Sequence, residues 1–330
     1  MEADTYPRAE AEAGDGAAFA PIICVVGPTA TGKSELAQKI AQSVDGEVVS
    51  ADSMQIYRGM DIGTGKVAPS ERLVPHHGLD LVDPGEPFSA ALFQTYAREC
   101  FRDISARAKR TVLAGGTGFY VRAAIDGYTF PRGSQTDNPI REHYSSLAQE
   151  QGADAFWKLL QSRDAASAAL LPPRDVKRVV RAFELLESGT TYAEQRAKLA
   201  SIPQVVPACL IGLEVNPDIL ADRIDARVDA MVEAGLVNEV KYLLQAGFRQ
   251  GITAPQAIGY KEIVAVLDEG GPLAEAVANI KQATRRYAKR QRTWFRKDKR
   301  ITWLCADSQD MDKLTEQALR VIATIETERR

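Results

Sequence analysis

Eight residues near the start of the chain, Gly27-Pro28-Thr29-Ala30-Thr31-Gly32-Lys33-Ser34, fit the pattern G-x-x-x-x-G-K-[ST], and their surroundings leave few folds open. A β-branched run, PIICVV at 21–26, precedes them, and a helical pattern from Lys33 to about Val44 follows, so the spacing predicts strand, turn and helix in that order. The glycines let the backbone curl until successive N–H groups face one anion. The helix start adds unpaired donors and a positive dipole end. Lys33 contributes a mobile point charge, and the Ser34 hydroxyl is placed to hold Mg²⁺.

The remaining pattern agrees with a sheet covered by helices. Short apolar runs recur at 47–50 (EVVS), 111–114 (TVLA), 208–215 (ACLIGLEV) and 301–304 (ITWL), alternating with helical stretches, which predicts an α/β fold with a parallel core sheet. Between about 130 and 207 the pattern changes. Turn-rich PRGSQTDNP leads into helical stretches without a strand, broken at Leu171-Pro172-Pro173 and resumed as an amphipathic helix over 174–187. We read 130–207 as a helical insertion domain within a core made of 21–129 and 208–330. Residues 219–246 and 273–297 each read as one long helix. Residues 1–20 carry five acids and one base among alanine and glycine, the composition of a disordered tail.

Charge excludes little until it is divided along the chain. The net of −3 hides a tail of −4 and a segment, 281–300, with ten bases and one acid. The remainder carries −8. A cationic segment on an acidic protein points to a local polyanion contact. The four cysteines, at 24, 100, 209 and 305, form no C-x-x-C pair, and only three histidines are present, which argues against zinc and for a reducing, cytoplasmic setting. No apolar run approaches the roughly 20 residues of a membrane helix. The glycine loop implies a diphosphate or triphosphate, yet the usual hydrolytic partners are missing. The run 111–114 leads into Gly115-Gly116-Thr117-Gly118 where an ATPase strand ends in Asp, and no N-K-x-D motif occurs.

Several stretches taken in order resemble the tRNA dimethylallyltransferases, also called tRNA isopentenyltransferases. They are GPTATGKS, DSMQIYRGMDIGTGK (52–66), PHHGLDLVDPGEPFSAALF (75–93), GGTGFY (115–120) and RDVKRVVRAFE (174–184). RIDARVDAMVEAGLVNEV (223–240), AIGYKE (257–262) and TRRYAKRQRTWFRK (284–297) continue the match, which runs from about 21 to 304. Departures are slight: Thr31 and Ser34 stand where members often carry Ser and Thr, and Phe119 where Leu is common. The tail lies outside the likeness, and nothing corresponds to the zinc-finger extension of eukaryotic members, so the resemblance is to the bacterial type.

The resemblance implies a P-loop NTPase-like fold and transfer of a dimethylallyl group from dimethylallyl diphosphate. The acceptor it implies is N6 of the adenosine 3′ of the anticodon, in tRNAs reading codons that begin with U. Gly27, Pro28, Thr29, Ala30, Thr31, Gly32, Lys33 and Ser34 would hold the diphosphate, with Mg²⁺ on Ser34 and with Arg223 and Arg227, four apart on one predicted helix face. Asp52 is the expected base for the weakly nucleophilic adenine amine. Thr117 resembles the threonine that meets the oxygen bridging prenyl carbon and phosphorus, and Lys33 stabilises the leaving group. For the anticodon stem-loop the expected contacts are Asp52, Ser53, Met54, Gln55 and Thr117 at the target base. Arg285, Lys289 and Arg292, with Arg296, form the expected cationic stripe, while Arg141, Lys177, Arg178, Val179, Val180 and Arg181 contribute from the insertion. Tyr287 and Trp294 interleave that stripe, either to pack in the core or to stack on unpaired bases, with Trp294 expected in the core. A monomer is expected. The rival readings are an adenylate isopentenyltransferase acting on free AMP, ADP or ATP, a small-molecule kinase, and an RNA-binding protein with a regulatory phosphate site. A nucleotide-sized acceptor explains neither the cationic segment nor the insertion.

Overall fold

A computed structural model describes residues 21–130, 138–308 and 310–328; the expected tail lies outside the described residues. Six parallel strands form one sheet: β1 (Ile22–Val26), β2 (Gly46–Ser50), β3 (His76–His77), β4 (Arg110–Gly115), β5 (Ala208–Glu214) and β6 (Ile301–Cys305). They lie in the order β3-β2-β4-β1-β5-β6. Every residue of β1 is buried, because it sits between two strands: Cys24 is in register with Leu113 of β4 and Leu210 of β5. A strand covered on both faces must be apolar throughout, which is why the central strands were visible as unbroken runs. The edge strand β3 escaped notice, being two residues long and made of half-buried histidines.

Thirteen helices occur among the described residues. The first three are α1 (Lys33–Ser43), α2 (Ala90–Ala106) and α3 (Gly118–Ile125). Then come α4 (Pro139–Gln151), α5 (Ala153–Arg163), α6 (Ala165–Ala168), α7 (Val176–Glu187) and α8 (Tyr192–Ala200). The last five are α9 (Pro217–Glu233), α10 (Leu236–Gln245), α11 (Tyr260–Glu269), α12 (Leu273–Phe295) and α13 (Met311–Glu328). The single helix expected over 219–246 is two. Gly235 takes φ 103°, a left-handed conformation that ends α9 and starts α10.

The described residues fall into two compact units, one drawn from Met1–Ile125 and Val205–Arg330 and the other from Asp126–Gln204. The second unit is helical and closes on itself where Gly127 N–H donates to the Pro203 carbonyl at 2.9 Å. Its own core stacks Tyr144 on Phe183, with ring centroids 4.4 Å apart, beside Phe156, Leu160 and Val179. Among the described residues no helix is long and apolar enough to cross a membrane, and the cysteines at 24, 100, 209 and 305 form no disulfide.

Candidate active site

The site lies at the carboxyl edge of the sheet, where β1 gives way to the glycine loop. Gly27 has φ 143°, and a Cβ there would fall 2.7 Å from the Leu213 carbonyl oxygen of β5, so the loop can leave the sheet only through glycine. Ala30 is also left-handed at φ 62°, a strain that surroundings must enforce in a residue with a Cβ. Thr31 Oγ1 donates to the Pro28 carbonyl at 2.9 Å, and Lys33 Nζ donates to the same oxygen. The ammonium thus folds back onto its own loop. Burial, and next the Arg227 charge, lower the Lys33 pKa to about 7 against the opposing pull of Asp52.

Strand order brings two more segments to this edge. Since β4 pairs with both β1 and β2, the turns after β2 and β4 adjoin the loop. Ala51 N–H donates to Ala114 O at 2.7 Å, and Thr117 N–H donates to Ala51 O at 3.3 Å. Thr117 Oγ1 accepts from Ser53 N–H at 3.0 Å, which ties the Thr117 hydroxyl to the residue that follows Asp52. Asp52 Oδ1 accepts from Met54 N–H at 2.9 Å, while Oδ2 has no donor among the described residues. The carboxylate therefore shapes its own turn and keeps one oxygen available.

Two cavities meet here. A polar one of about 80 Å³ is lined by Lys33, Ser34, Asp52, Gln55, Gly116 and Gln291 among others. A cleft of about 460 Å³ has apolar walls from Ile224, Val228, Met231, Leu236, Ile258 and Ile280. Thr29, Asp52, Thr64, Arg227 and Tyr287 line both. Arg227 reaches Thr29 Oγ1 and the Thr64 carbonyl, each at 3.4 Å. The expectation that Arg223 shares this place is corrected. Arg223 Nη2 donates to the Asp307 carbonyl at 2.6 Å, and the residue lines neither cavity. Two residues four apart share a helix face, but a partner at one end of that face turned the first side chain away.

The 61–66 turn forms a wall of both cavities and is held rigidly. Glu239 of α10 accepts from Asp61, Ile62 and Gly63 N–H at 3.0, 2.7 and 3.1 Å, and from the Tyr260 hydroxyl at 2.6 Å. Lys66, nearly buried, donates to Tyr57 O, Asp61 and Asp80. Gln55 is tied inward, accepting from Ser50 Oγ at 2.8 Å and donating to Thr64 O at 3.3 Å, so it lines the polar cavity and not the apolar cleft where Ser53 and Met54 lie.

Helix α12 supplies two further side chains, Gln291, which no sequence motif singles out, and Tyr287, which the sequence places only within the cationic stripe. Gln291, buried, accepts from Thr29 N–H and donates to Gly116 O, both at 2.9 Å, and so joins the glycine loop to the turn after β4. Tyr287, one turn earlier, lines both cavities; burial and then the Asp52 charge push its hydroxyl up to about 12. A signal existed: Ile280, Ala288 and Phe295 fix the buried face, and positions 287 and 291 border it. The expected cationic stripe is corrected on the same ground. Arg285 is held by Asp225 at 2.5 Å and Arg296 by Glu214 at 3.3 Å, whereas Lys289 and Arg292 have no ion-pair partner among the described residues. Arg286 and Arg290 line the cleft instead. Trp294, expected in the core, is exposed.

In the helical unit most expected contacts are already engaged. Val179 and Val180 are buried in its core, so their side chains are withdrawn as contact groups. Arg141 and Arg181 both bond to the buried Glu184, at 2.5 and 2.8 Å. Burial alone would raise the Glu184 carboxyl, but these two arginines outweigh it and hold the pKa below the ordinary value. Arg178 pairs with Asp175 at 2.7 Å; Lys177 alone of this group is exposed and without an ion-pair partner among the described residues.

The described residues contain no cluster of three or more His, Cys, Asp or Glu suited to a metal. The donor present is the exposed Ser34 hydroxyl, which has no protein partner among the described residues and faces the polar cavity. That set suits a hard cation shared with an anionic ligand rather than one caged by protein.

The sequence profile of the IPP transferase family matches residues 55–298. The chain belongs to that family. A profile described as isopentenyl transferase matches residues 20–74. A relative from Carboxydothermus hydrogenoformans, named tRNA dimethylallyltransferase, is 43% identical over 302 residues, which is 90% of this chain and 96% of the relative. A Bacillus subtilis protein of the same name is 41% identical over 285 residues, covering 86% and 90% of the two chains. Among solved structures, the tRNA isopentenylpyrophosphate transferase of Bacillus halodurans superposes with a TM-score of 0.67 at 38% identity, over 94% of this chain and 99% of its own. A eukaryotic dimethylallyltransferase acting on tRNA gives 0.76 at 27% identity, over 94% and 80%. The six-stranded core is the P-loop NTPase-like sheet that the family resemblance implied.

Proposed function

We propose that this IPP transferase is a tRNA dimethylallyltransferase. It moves the dimethylallyl group of dimethylallyl diphosphate to N6 of the adenosine 3′-adjacent to the anticodon, in tRNAs reading codons that begin with U. One observation carries the reading: a polar, cation-lined phosphate cavity opens into an apolar cleft, with the Asp52 carboxylate at the junction. A kinase needs an acceptor hydroxyl beside the terminal phosphate, not an apolar chamber at that point.

In this reading the backbone N–H groups of 30–34, Lys33 and Arg227 bind the diphosphate. The N6 lone pair attacks the allylic carbon, the C–O bond breaks, and its electron pair leaves on the diphosphate. Asp52 Oδ2 takes the N6 proton, and a positioned base of this kind contributes about 10²–10⁴-fold. Thr117 holds the bridging oxygen. Donors fixed before the reaction stabilise the charge as it develops on the leaving group. Mg²⁺, held by Ser34 and the diphosphate oxygens, would neutralise part of that charge when bound. The acceptor is the anticodon stem-loop, whose target base must leave its stack at a cost of a few kcal/mol. Ser53 and Met54 border the base, and Lys177 of the helical unit adds a phosphate contact. The protein works in the cytoplasm as a monomer.

The test supplies dimethylallyl diphosphate and unmodified tRNA transcript without ATP. N6-dimethylallyladenosine in the tRNA is the expected product. Prenylation of free AMP alone would transfer the assignment to the adenylate class, and ADP formation without a prenylated base would favour a kinase.

A further inference from the structure

The half-buried Arg227 guanidinium has no carboxylate within ion-pair distance among the described residues, and bonds instead to Thr29 Oγ1 and the Thr64 carbonyl, each at 3.4 Å. A carboxylate in that place would fix the side chain but would also neutralise it and repel an anionic ligand. Carbonyl oxygens avoid the conflict. They can aim the guanidinium only as well as they are themselves fixed, so the placement of the 61–66 turn decides where this charge stands.

That turn is closed on itself. Gly65 N–H donates to Ile62 O and Lys66 N–H to Asp61 O, both at 3.0 Å, and Thr64 Oγ1 donates to Met60 O at 2.6 Å. It is also pressed between two side chains, with glycine at both contacts. A Cβ on Gly63 would lie 2.5 Å from the fully buried Tyr260 ring, and one on Gly65 would lie 2.0 Å from Arg227 Nη2. Little slack remains between the ring and the guanidinium. Glu239 engages the other end of the turn with both oxygens: Oε2 accepts from Asp61 and Ile62 N–H, and Oε1 from Gly63 N–H and the Tyr260 hydroxyl. Buried Leu236 and Val240 flank it on α10 and fix the helix that carries it. Its charge is met by these donors, and it lines neither cavity.

We propose that Glu239 is a positioning residue for Arg227: with Tyr260 it fixes the 61–66 turn, so that the Thr64 carbonyl presents the guanidinium to the diphosphate. The inference rests on the diphosphate reading of the polar cavity and deepens it, because it traces the aim of one binding cation to a carboxylate that does not touch the ligand.

The test is a double-mutant cycle on the full chain, read by titration calorimetry with inorganic diphosphate and Mg²⁺. Parent, Glu239→Gln, Arg227→Ala and the double variant are compared. Glutamine keeps one acceptor oxygen and loses the other, which loosens the turn without emptying the site. Arg227→Ala is expected to weaken diphosphate binding about 10- to 150-fold, the range for a hydrogen bond to a charged group. Glu239→Gln is expected to weaken it about 3- to 30-fold in the parent, as residues of one network couple, and by less than about twofold once Arg227 is alanine. General destabilisation would instead lower the affinity by the same factor in both backgrounds. Gly63→Ala, whose methyl must drive the turn off the Tyr260 ring, is expected to give the same coupling to Arg227→Ala, and it carries the cycle if Glu239→Gln does not fold. Penalties that simply add, or Glu239→Gln and Gly63→Ala variants that bind diphosphate as the parent does, would overturn the inference. A parent that binds no diphosphate overturns the phosphate reading of the cavity, and this inference with it.

Discussion

Lys33 gives a pH dependence that can be worked through. In the empty loop its ammonium faces burial and the Arg227 charge, and its pKa lies at about 7. A bound diphosphate puts several negative oxygens beside it and restores the charged form, so binding should draw in a proton above that pH. The sign follows directly. Below pH 7 Lys33 is already charged and affinity is full; as pH rises through 7, each further unit removes about tenfold in affinity, until the bound pKa is passed. At pH 8 the uptake attributable to Lys33 is about 0.9 proton. The assay is titration calorimetry of inorganic diphosphate with Mg²⁺ at pH 8, in buffers of different ionisation heat. Lys33→Arg serves as reference, because its guanidinium stays charged. The difference between the two proteins cancels the titration of diphosphate itself. Equal proton uptake by parent and Lys33→Arg would refute the argument, since a lysine already charged at pH 8 takes up nothing.

Three other outcomes are expected. Asp52→Ala should lower the single-turnover rate of prenyl transfer by about 10²–10⁴-fold with tRNA affinity retained, and an undiminished rate removes Asp52 as the base. Glu239→Ala leaves Asp61, Ile62 and Gly63 N–H and the Tyr260 hydroxyl without their acceptor. It should cost about 2–4 kcal/mol in urea unfolding, because each orphaned buried donor costs about 1–3 kcal/mol and water rescues the outer ones; an unshifted midpoint would contradict this. Glu47 bonds to Arg107 and, at 2.7 Å, to His77, and these partners against burial hold its pKa at about 2. A carboxylate with a depressed pKa stabilises the fold fully above its ordinary value of 4.5 and loses that contribution as pH falls towards 2. Acid titration of stability should therefore show roughly 2 kcal/mol less loss over that window in Glu47→Gln, after allowance for solvent around Arg107; parallel acid profiles would count against it.

The sequence made visible whatever depends on local spacing. A buried central strand has to be apolar from end to end, so β1, β4 and β5 were legible, and the glycine loop announced itself because its backbone admits few alternatives to Gly27. The break at Gly235 was missed because one glycine in a helical pattern does not announce whether it takes the left-handed conformation. The basic motif around Val179 and Val180 suggests a contact surface, yet their spacing on α7 points them into the Tyr144–Phe183 core.

By itself, then, the sequence determined the fold class, the phosphate loop and the position of Asp52 after β2, because strand, turn and helix each follow from residues close together in the chain. The tertiary structure decided which side chains meet. Gln291 reaches Thr29 across 262 positions, Arg227 enters the site while Arg223 turns to Asp307, and the face of α12 beside the cleft carries Arg286 and Arg290 rather than Arg285. Such pairings depend on the rotation of one packed helix against another. That angle is fixed by the burial of Ile280, Ala288 and Phe295 against residues far away in sequence, where no local pattern records it.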